Sequence, residues 1–225
     1  MKNTRTVLIE KINDGRKISA LTDLPELNPD IIKLIQKQYP DAFESNGIYY
    51  FGTIDLTEKT DVTDPCYGRK EYCRLTLPTL RGKYHCFRFD GTAKLFDDGW
   101  MFAIHEHAVD SSDIEWETIG IAGVDSGKIG IFDRKPGLSG SEVNEVDKLT
   151  SDYSATMKIE SRDAFLATRF GGDGIYFVDG LPSAENDAIY IGLAVNFTPA
   201  DELNPGYASH LDLQQYMNMQ VRMGY

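Results

Sequence analysis

The sequence predicts an α+β fold built mainly from antiparallel strands in one or two packed sheets, with an N-terminal helix and C-terminal helical segments. From residue 48 onward, short apolar stretches with strand-like alternation are separated by closely spaced turn sequences. Aromatic residues make up 11% of the chain, including 12 Tyr and 11 Phe, and flat side chains favour a pleated surface.

The first 45 residues are predicted to be a helical lead-in to a single β-rich domain over residues 46–225. Asn28 is a good N-cap, Pro29 suits the first helical position, and an apolar stripe follows over residues 31–35. Pro40 is expected to end this helix, because proline cannot continue it.

Strands are predicted wherever apolar and polar residues alternate with the two-residue period of a pleated chain. Residues 84–89 are the clearest case, with Tyr84 and Cys86 on one face and Phe87 and Phe89 on the other. Closely spaced turns predict that the strands pair as an antiparallel meander. The predicted strands cover residues 48–56, 72–77, 84–89, 94–96, 100–107, 115–124, 128–132, 174–178 and 188–197.

The turn Asp125-Ser126-Gly127, called the DSG turn below, is predicted to be the tip of a hairpin between the strands on either side of it. A helical pattern covers residues 141–151, and Ser161 is predicted to cap a helical turn through Leu166. The tail from Ser209 onward is predicted to be a helix.

The chain is acidic, with 35 Asp and Glu against 23 Lys and Arg and a formal net charge of -12. An acidic surface repels phosphate backbones, so binding to nucleic acid is not expected. The charge suits solubility, a basic protein partner or a bound cation. No run approaches the roughly 18 apolar residues of a membrane span. No apolar leader segment follows the N-terminus, so a cytoplasmic location without membrane contact is expected.

Three cysteines lie between residues 66 and 86. An odd number of cysteines without a secretory leader predicts that all three are reduced. Cys66 is a candidate nucleophile, but the neighbouring carboxylate of Asp64 would raise the pKa of its thiol, while Arg69 and Lys70 would act in the opposite direction.

Aspartate-centred turns lie beside several of the predicted strands. Asp with Gly or Pro is turn chemistry, because Gly supplies a positive φ, Pro fixes φ and Asp bonds nearby backbone. The same turns also hold carboxylates at strand ends, where a ligand can meet them, and the sequence leaves both interpretations open. The turns are Asp64-Pro65-Cys66-Tyr67, Val124-Asp125-Ser126-Gly127 running on to Asp133, and Gly172-Asp173-Gly174.

Three of these strings carry a family resemblance. DPCY at residues 64–67, AGVDSGKIGIFD at residues 122–133 and GDGIY at residues 172–176 resemble the bacterial and phage family catalogued as domain of unknown function 4241. The resemblance covers roughly residues 52–197. It implies no reaction, cofactor or catalytic residue, and it suggests a bacterial or phage source.

The aspartates Asp64, Asp125, Asp133 and Asp173 are candidate ligand-binding residues, together with Tyr67. Their carboxylates would suit a hard divalent cation such as Ca²⁺ or Mg²⁺, although no spacing resembles an EF-hand loop. No other cofactor is expected. An apolar strand precedes both Asp64 and Asp133, which hints that these two residues occupy similar strand ends.

His105 and His107 are candidate metal ligands or acid–base groups, because residues two apart on a strand share a face. No CxxC or HxxxH spacing accompanies them. The alternative is that the cysteines and histidines of this region are ordinary sheet residues, buried or half exposed.

The leading functional hypothesis is a non-catalytic binding module whose strand-end loops hold a protein or a small ligand. An inhibitor or sequestering protein encoded by a phage or mobile element is one such role, by analogy with the family resemblance. The alternative is a divalent-metal-dependent hydrolase that uses His105 and His107 or the aspartates. The sequence leaves the ligand and the oligomeric state open.

Overall fold

Two antiparallel β-sheets pack face to face, and one α-helix covers part of the outer surface of each sheet. The computed structural model describes residues 8–45, 47–66, 74–91, 99–134, 138–150, 154–170 and 172–200. Its strands are β1 (Ile9–Asn13), β2 (Arg16–Ile18), β3 (Gly47–Leu56), β4 (Lys59–Thr63), β5 (Arg74–Pro78), β6 (Gly82–Asp90), β7 (Gly99–His105), β8 (Glu117–Val124), β9 (Lys128–Phe132), β10 (Ser154–Ile159), β11 (Arg162–Thr168), β12 (Gly174–Ser183) and β13 (Asn186–Asn196).

One sheet has six strands in the order β1-β10-β11-β9-β4-β5, and the other has seven in the order β2-β3-β6-β7-β13-β12-β8. All ladders within them are antiparallel, as the sequence predicts. The space between the sheets is filled by apolar side chains from both, including Phe51, Tyr84, Ile131, Phe165 and Leu193. This packing is the arrangement of a β-sandwich, in which each strand buries alternate residues.

Helix α1 (Pro29–Gln38) lies on the outer surface of the seven-stranded sheet. Its predicted N-cap is confirmed, since the side chain of Asn28 accepts a hydrogen bond from the backbone N–H of Asp30. Pro40 ends the α-helix as predicted and opens a short 3-10 helix, Pro40–Glu44. Ile31, Leu34 and Ile35 are buried against the sheet.

Helix α2 (Gly140–Thr150) confirms the helical pattern of residues 141–151. Val146 packs with Phe132, Met157 and Leu166 on the outer surface of the six-stranded sheet. In that sheet α2 contacts β1, β10 and β11. The opposite edge, formed by β4 and β5, is the part that carries the cleft described below.

The alternation predicted for residues 84–89 is confirmed. Tyr84 and Cys86 lie in the core between the sheets, whereas Phe87 and Phe89 face the other way and pack beneath α1. Because both faces of β6 are covered, the strand is almost entirely buried.

The predicted hairpin around the DSG turn is wrong. β8 pairs with β12 in the seven-stranded sheet, whereas β9 pairs with β11 and β4 in the six-stranded sheet. The DSG turn therefore carries the chain from one sheet to the other. A turn sequence predicts a change of direction, but the partner of each strand depends on residues far away in the chain.

The helical turn predicted after Ser161 is also wrong, because residues 154–168 form the hairpin of β10 and β11. Its two-residue turn, Glu160 and Ser161, has positive φ at both positions, 53° and 67°, without Gly or Asn. The residue pairs that usually mark a two-residue hairpin turn, such as Asn-Gly or Asp-Gly, are therefore missing here. Both faces of β11 are buried, so its apolar run also lacks the alternation typical of a strand.

The predicted lead-in contributes more than a helix, because β1 pairs with β10 in one sheet and β2 pairs with β3 in the other. The predicted C-terminal helix from Ser209 and the strand over residues 94–96 lie outside the described residues. Among the residues that the structure describes, no helix is both long and apolar enough to cross a membrane.

Candidate functional site

The buried carboxylate of Asp64 holds the DSG turn through hydrogen bonds. Asp64 is fully buried at the end of β4. One carboxylate oxygen accepts the backbone N–H groups of Asp125 and Ser126, both at 2.8 Å. The other accepts the Cys66 N–H at 2.7 Å and the Ser126 hydroxyl at 2.8 Å. These bonds give Asp64 a structural role at the point where the chain changes sheets.

The other aspartates of this turn are exposed. Gly127 has φ +63°, as its place in the turn predicts, and its N–H donates to the carboxylate of Asp173 at 3.0 Å. Asp125 is exposed and is held through its backbone N–H. The structure thus brings Asp64, Asp125 and Asp173 to one turn.

Asp133 lies away from that turn. β4 and β9 are antiparallel neighbours, so Asp64 and Asp133, which each follow the last residue of their strand, lie at opposite ends of the pair. The hint that they occupy similar strand ends is therefore wrong. The Asp133 carboxylate accepts the N–H and the hydroxyl of Thr57, at 3.0 and 2.6 Å. Its backbone N–H donates to the carbonyl of Asp163.

His105 and His107 are close, with ring centroids 5.6 Å apart, but they differ in environment. His107 is exposed, whereas His105 is buried at the end of β7. The N–H of His107 donates to Nδ1 of His105, so the ring proton lies on Nε2 and faces the carbonyl of Arg81 at 3.4 Å. Burial lowers the pKa of His105. Both ring nitrogens are engaged, an arrangement that favours a structural imidazole over a metal ligand.

Neither of the two cysteines that the structure describes has the environment of a reactive thiol. Burial raises the pKa of the half-buried Cys66 thiol, and the carboxylate of Asp64 acts in the same direction. Cys66 and Cys86 are both free thiols. Cys73 and the candidate ligand residue Tyr67 lie outside the described residues.

No group of three or more His, Cys, Asp or Glu is placed to hold a metal ion among the residues with described positions. The divalent cation expected from the aspartates stays a prediction. Hydroxyl and backbone N–H donors already occupy both carboxylate oxygens of Asp64 and one carboxylate oxygen of Asp133.

A polar cleft of about 870 Å³ lies at the β4–β5 edge of the six-stranded sheet. We call it the arginine cleft. Every lining side chain in the described part of the chain is polar or charged, with five cations, three carboxylates and three hydroxyls. The lining residues are Thr57, Glu58, Lys59, Asp61, Arg74, Thr76, Arg81, Asp133, Arg134, Ser161 and Arg162.

Strand register places the floor of this cleft on the outer surface of the sheet. Asp61 pairs with Phe132, whose ring packs on the α2 side, and Asp61 also pairs with Thr76. Residues opposite each other share a face, and so do residues two apart on one strand. Lys59 and Arg74 therefore lie on the same outer face as Asp61 and Thr76.

Loops complete the rim. Arg134 follows β9, and Ser161 and Arg162 belong to the β10–β11 hairpin. Arg134 and Ser161 have left-handed backbone, with φ of 54° and 67°. Such geometry costs roughly 1–2 kcal/mol for a residue other than glycine, and it is concentrated at functional sites.

The cations of the cleft have few acidic partners among the residues that the structure describes. Arg81 lies 3.8 Å from Glu58, and both side chains are largely exposed, so this ion pair is weak. The ion pairs found among the described residues include none made by Lys59, Arg74, Arg134 or Arg162. These positive charges are available to a ligand.

Sequence reasoning identified Asp133 but not the cleft around it. The four arginines come from β5, the β5–β6 loop, the end of β9 and the start of β11, and only the sheet order brings them together. No local motif marks them. Comparisons with protein families, with curated proteins and with solved structures found no match. The family resemblance therefore stays a prediction.

Proposed function

We propose that the protein is a non-catalytic binding module that holds a small anionic ligand in the arginine cleft. The observation that carries this proposal is the set of four arginines and one lysine around a single cleft. Guanidinium groups bind carboxylates and phosphates through two parallel hydrogen bonds, which makes clustered arginines a recurring solution for anion recognition.

The contrast with the rest of the molecule supports the proposal. The whole chain carries 35 acidic against 23 basic residues, whereas the cleft has five basic against three acidic ones. A local excess of positive charge on an acidic protein raises the concentration of small anions at that place. It does not suit a long polyanion, because most of the surface would repel it.

The acidic residues of the cleft support binding rather than catalysis. Asp133 accepts two hydrogen bonds from Thr57, and Asp61 accepts the hydroxyl of Thr76 at 2.5 Å. A general base needs a carboxylate directed at the substrate proton. We propose that these carboxylates position the threonines instead. Sequestration of the ligand in a bacterial cytoplasm is the role that the family resemblance suggests.

Titration calorimetry on the full chain with inorganic phosphate, sulfate and citrate, at constant ionic strength, tests this proposal. We expect binding of at least one of them with a Kd of about 1 mM or lower, which corresponds to about −4 kcal/mol. The double variant Arg74→Glu, Arg162→Glu should abolish this binding, because it replaces attraction by repulsion.

The matched control is Arg16→Glu, which changes the same charge on an exposed residue of β2 in the other sheet. It should bind anions as the wild type does. Absence of binding by the wild-type protein, or equal binding by the double variant, contradicts the proposal.

A further inference from the structure

We infer that the ligand of the arginine cleft is a polyol that carries two or more phosphate groups, such as a sugar bisphosphate. This inference rests on the proposed function and specifies the ligand of the same site. It is drawn from three features of the described lining residues: the number of cations, the hydrogen bonds that the hydroxyl groups donate, and the absence of apolar side chains among these residues.

The number of arginines in the cleft indicates how many anionic groups the ligand carries. Arg74, Arg134 and Arg162 have no ion pair among the described residues, and Arg81 has one long contact to Glu58 at 3.8 Å. A phosphate group carries a charge of about −1.5 to −2 near neutral pH. The three carboxylates of the cleft offset part of the positive charge, so the match to two phosphates lies in the hydrogen-bond donors: four guanidinium groups provide paired N–H donors for the oxygens of two phosphates.

The hydroxyl groups of the cleft require a ligand that donates hydrogen bonds as well. The Thr57 hydroxyl donates to Asp133 at 2.6 Å, and the Thr76 hydroxyl donates to Asp61 at 2.5 Å. The Ser161 hydroxyl donates to the carbonyl of Glu160. A hydroxyl has one proton and two lone pairs, so each of these three groups has its proton engaged and can only accept a hydrogen bond from a ligand.

An anion that only accepts hydrogen bonds leaves those acceptors without a donor. Phosphate and carboxylate groups are of this kind near neutral pH. Hydroxyl groups on the ligand supply the missing donors, and Glu58, an exposed carboxylate on the rim, is a further acceptor for them. Phosphates for the arginines and hydroxyls for the threonines together describe a phosphorylated polyol.

The described part of the lining offers no surface for the base of a nucleotide, the other common class of phosphorylated ligand. A nucleotide base is held by stacking on aromatic rings or by apolar contact. All eleven lining residues that the structure describes are polar or charged, although aromatic residues make up 11% of the chain. The volume of about 870 Å³ accommodates a hexose bisphosphate together with ordered water.

Calorimetry with a defined set of probes tests the inference. The probes are fructose bisphosphate, inorganic pyrophosphate, citrate, glucose and ATP. We expect fructose bisphosphate to bind at least about tenfold more tightly than pyrophosphate or citrate, because it brings several hydroxyl donors to the acceptors of the cleft, whereas citrate has a single hydroxyl and pyrophosphate has no polyol. Glucose alone should not bind, since it lacks the charge that the arginines need.

Thr76→Val tests the contribution of the Thr76 hydroxyl to ligand affinity separately from that of the arginines. It should reduce the affinity for fructose bisphosphate about tenfold and leave the affinity for pyrophosphate unchanged. Thr76→Ser keeps the hydroxyl and should restore the wild-type preference. Thr53→Val, on β3 of the other sheet, is the matched control and should change neither affinity.

The outcomes separate this inference from the proposed function. Pyrophosphate, citrate or ATP binding as tightly as fructose bisphosphate overturns the polyol assignment, while anion binding in the cleft stands. Failure of every anionic probe to bind overturns both. An equal loss of both affinities in Thr76→Val also overturns the assignment, because the hydroxyl would then act through the fold and not through the ligand.

Discussion

The carboxylate of Asp64 is fully buried and accepts four hydrogen bonds from Cys66, Asp125 and Ser126. Asp64→Asn replaces one oxygen by an NH₂ group that faces backbone N–H donors. We expect this variant to lose about 2–4 kcal/mol of unfolding free energy, because buried donors lose their acceptor.

Asp173→Ala is the matched comparison, since Asp173 is exposed and accepts one bond, from Gly127. It should cost less than about 1 kcal/mol. Urea unfolding of the two variants measures the difference. Equal losses would show that the DSG turn does not depend on the buried carboxylate.

Arg134 combines a left-handed backbone, φ 54°, with a position on the rim of the arginine cleft. Arg134→Gly should leave stability unchanged or raise it by about 0.5–1 kcal/mol, because glycine adopts this backbone without strain. Anion affinity should fall, because one of the four guanidinium groups is lost. Thermal unfolding and calorimetry on the same samples measure both effects.

Arg169→Gly is the control for this variant, because Arg169 has nearly the same φ of 55° and is not among the residues of the cleft. Its stability should change as in Arg134→Gly, while its affinity for anions stays that of the wild type. A similar loss of affinity in both variants would mean that the effect comes from the net charge and not from the cleft.

At the scale of elements, the contact between α1 and the seven-stranded sheet includes a buried carboxylate. Asp179 on β12 accepts hydrogen bonds from Gln38 at the end of α1, at 2.5 Å, and from Thr118 on β8, at 2.7 Å. Burial raises the pKa of Asp179 above its ordinary value of 3.8. The ionised form that predominates at neutral pH is therefore the less favourable one in the folded state.

Asp179→Asn should leave stability at neutral pH unchanged or raise it by about 1 kcal/mol, because the amide removes the buried charge and the Gln38 amide can turn to accept from it. The gain over wild type should be absent below the ordinary pKa and grow as the pH rises above it. Denaturation curves at several pH values measure this dependence. A large loss of stability at neutral pH would contradict the prediction.

The adjacent strands β6 and β7 carry two buried histidines, and burial lowers the pKa of both His85 and His105 below the ordinary value of 6.5. The neutral ring is favoured in the folded state. Above that ordinary pKa both histidines are neutral in the folded and the unfolded protein, so they cause no loss of unfolding free energy. This free energy should fall as the pH drops below 6.5, where the unfolded chain takes up protons first.

Unfolding free energies at about pH 7.5 and about pH 5.5 measure this loss. His85→Phe should reduce it, because the phenyl ring keeps the stacking beside Tyr50 and cannot take up a proton. His107→Gln is the control, because His107 is exposed, and it should leave the loss unchanged. An unaltered pH dependence in His85→Phe would exclude His85 as its source.

At the scale of the whole molecule, the net charge of -12 governs interactions with extended polyanions. We expect no measurable binding to duplex DNA at physiological salt, because a protein with this net negative charge repels a phosphate backbone. A mobility-shift assay with a random duplex tests this expectation. Tight, salt-sensitive binding would contradict it, and the Arg74→Glu, Arg162→Glu variant would then show whether the cleft is responsible.

The sequence by itself determined the elements whose signals are local. The cap at Asn28 and the apolar stripe after it predict α1, and the strict alternation around Tyr84 predicts β6 and both of its faces. The positive φ of Gly127 also follows from its turn. Capping, alternation and turn chemistry act between residues within a few positions of each other, so they can be recognised in the chain alone.

Only the tertiary structure decided which strands are neighbours. β8 and β9 are joined by a three-residue turn, yet they belong to different sheets, and the hairpin of β10 and β11 lacks a turn signal. The same partner choices bring Arg74, Arg134 and Arg162 to one cleft and separate Asp133 from Asp64. Strand pairing depends on the burial of side chains from distant segments, and this burial exists only once the two sheets have packed.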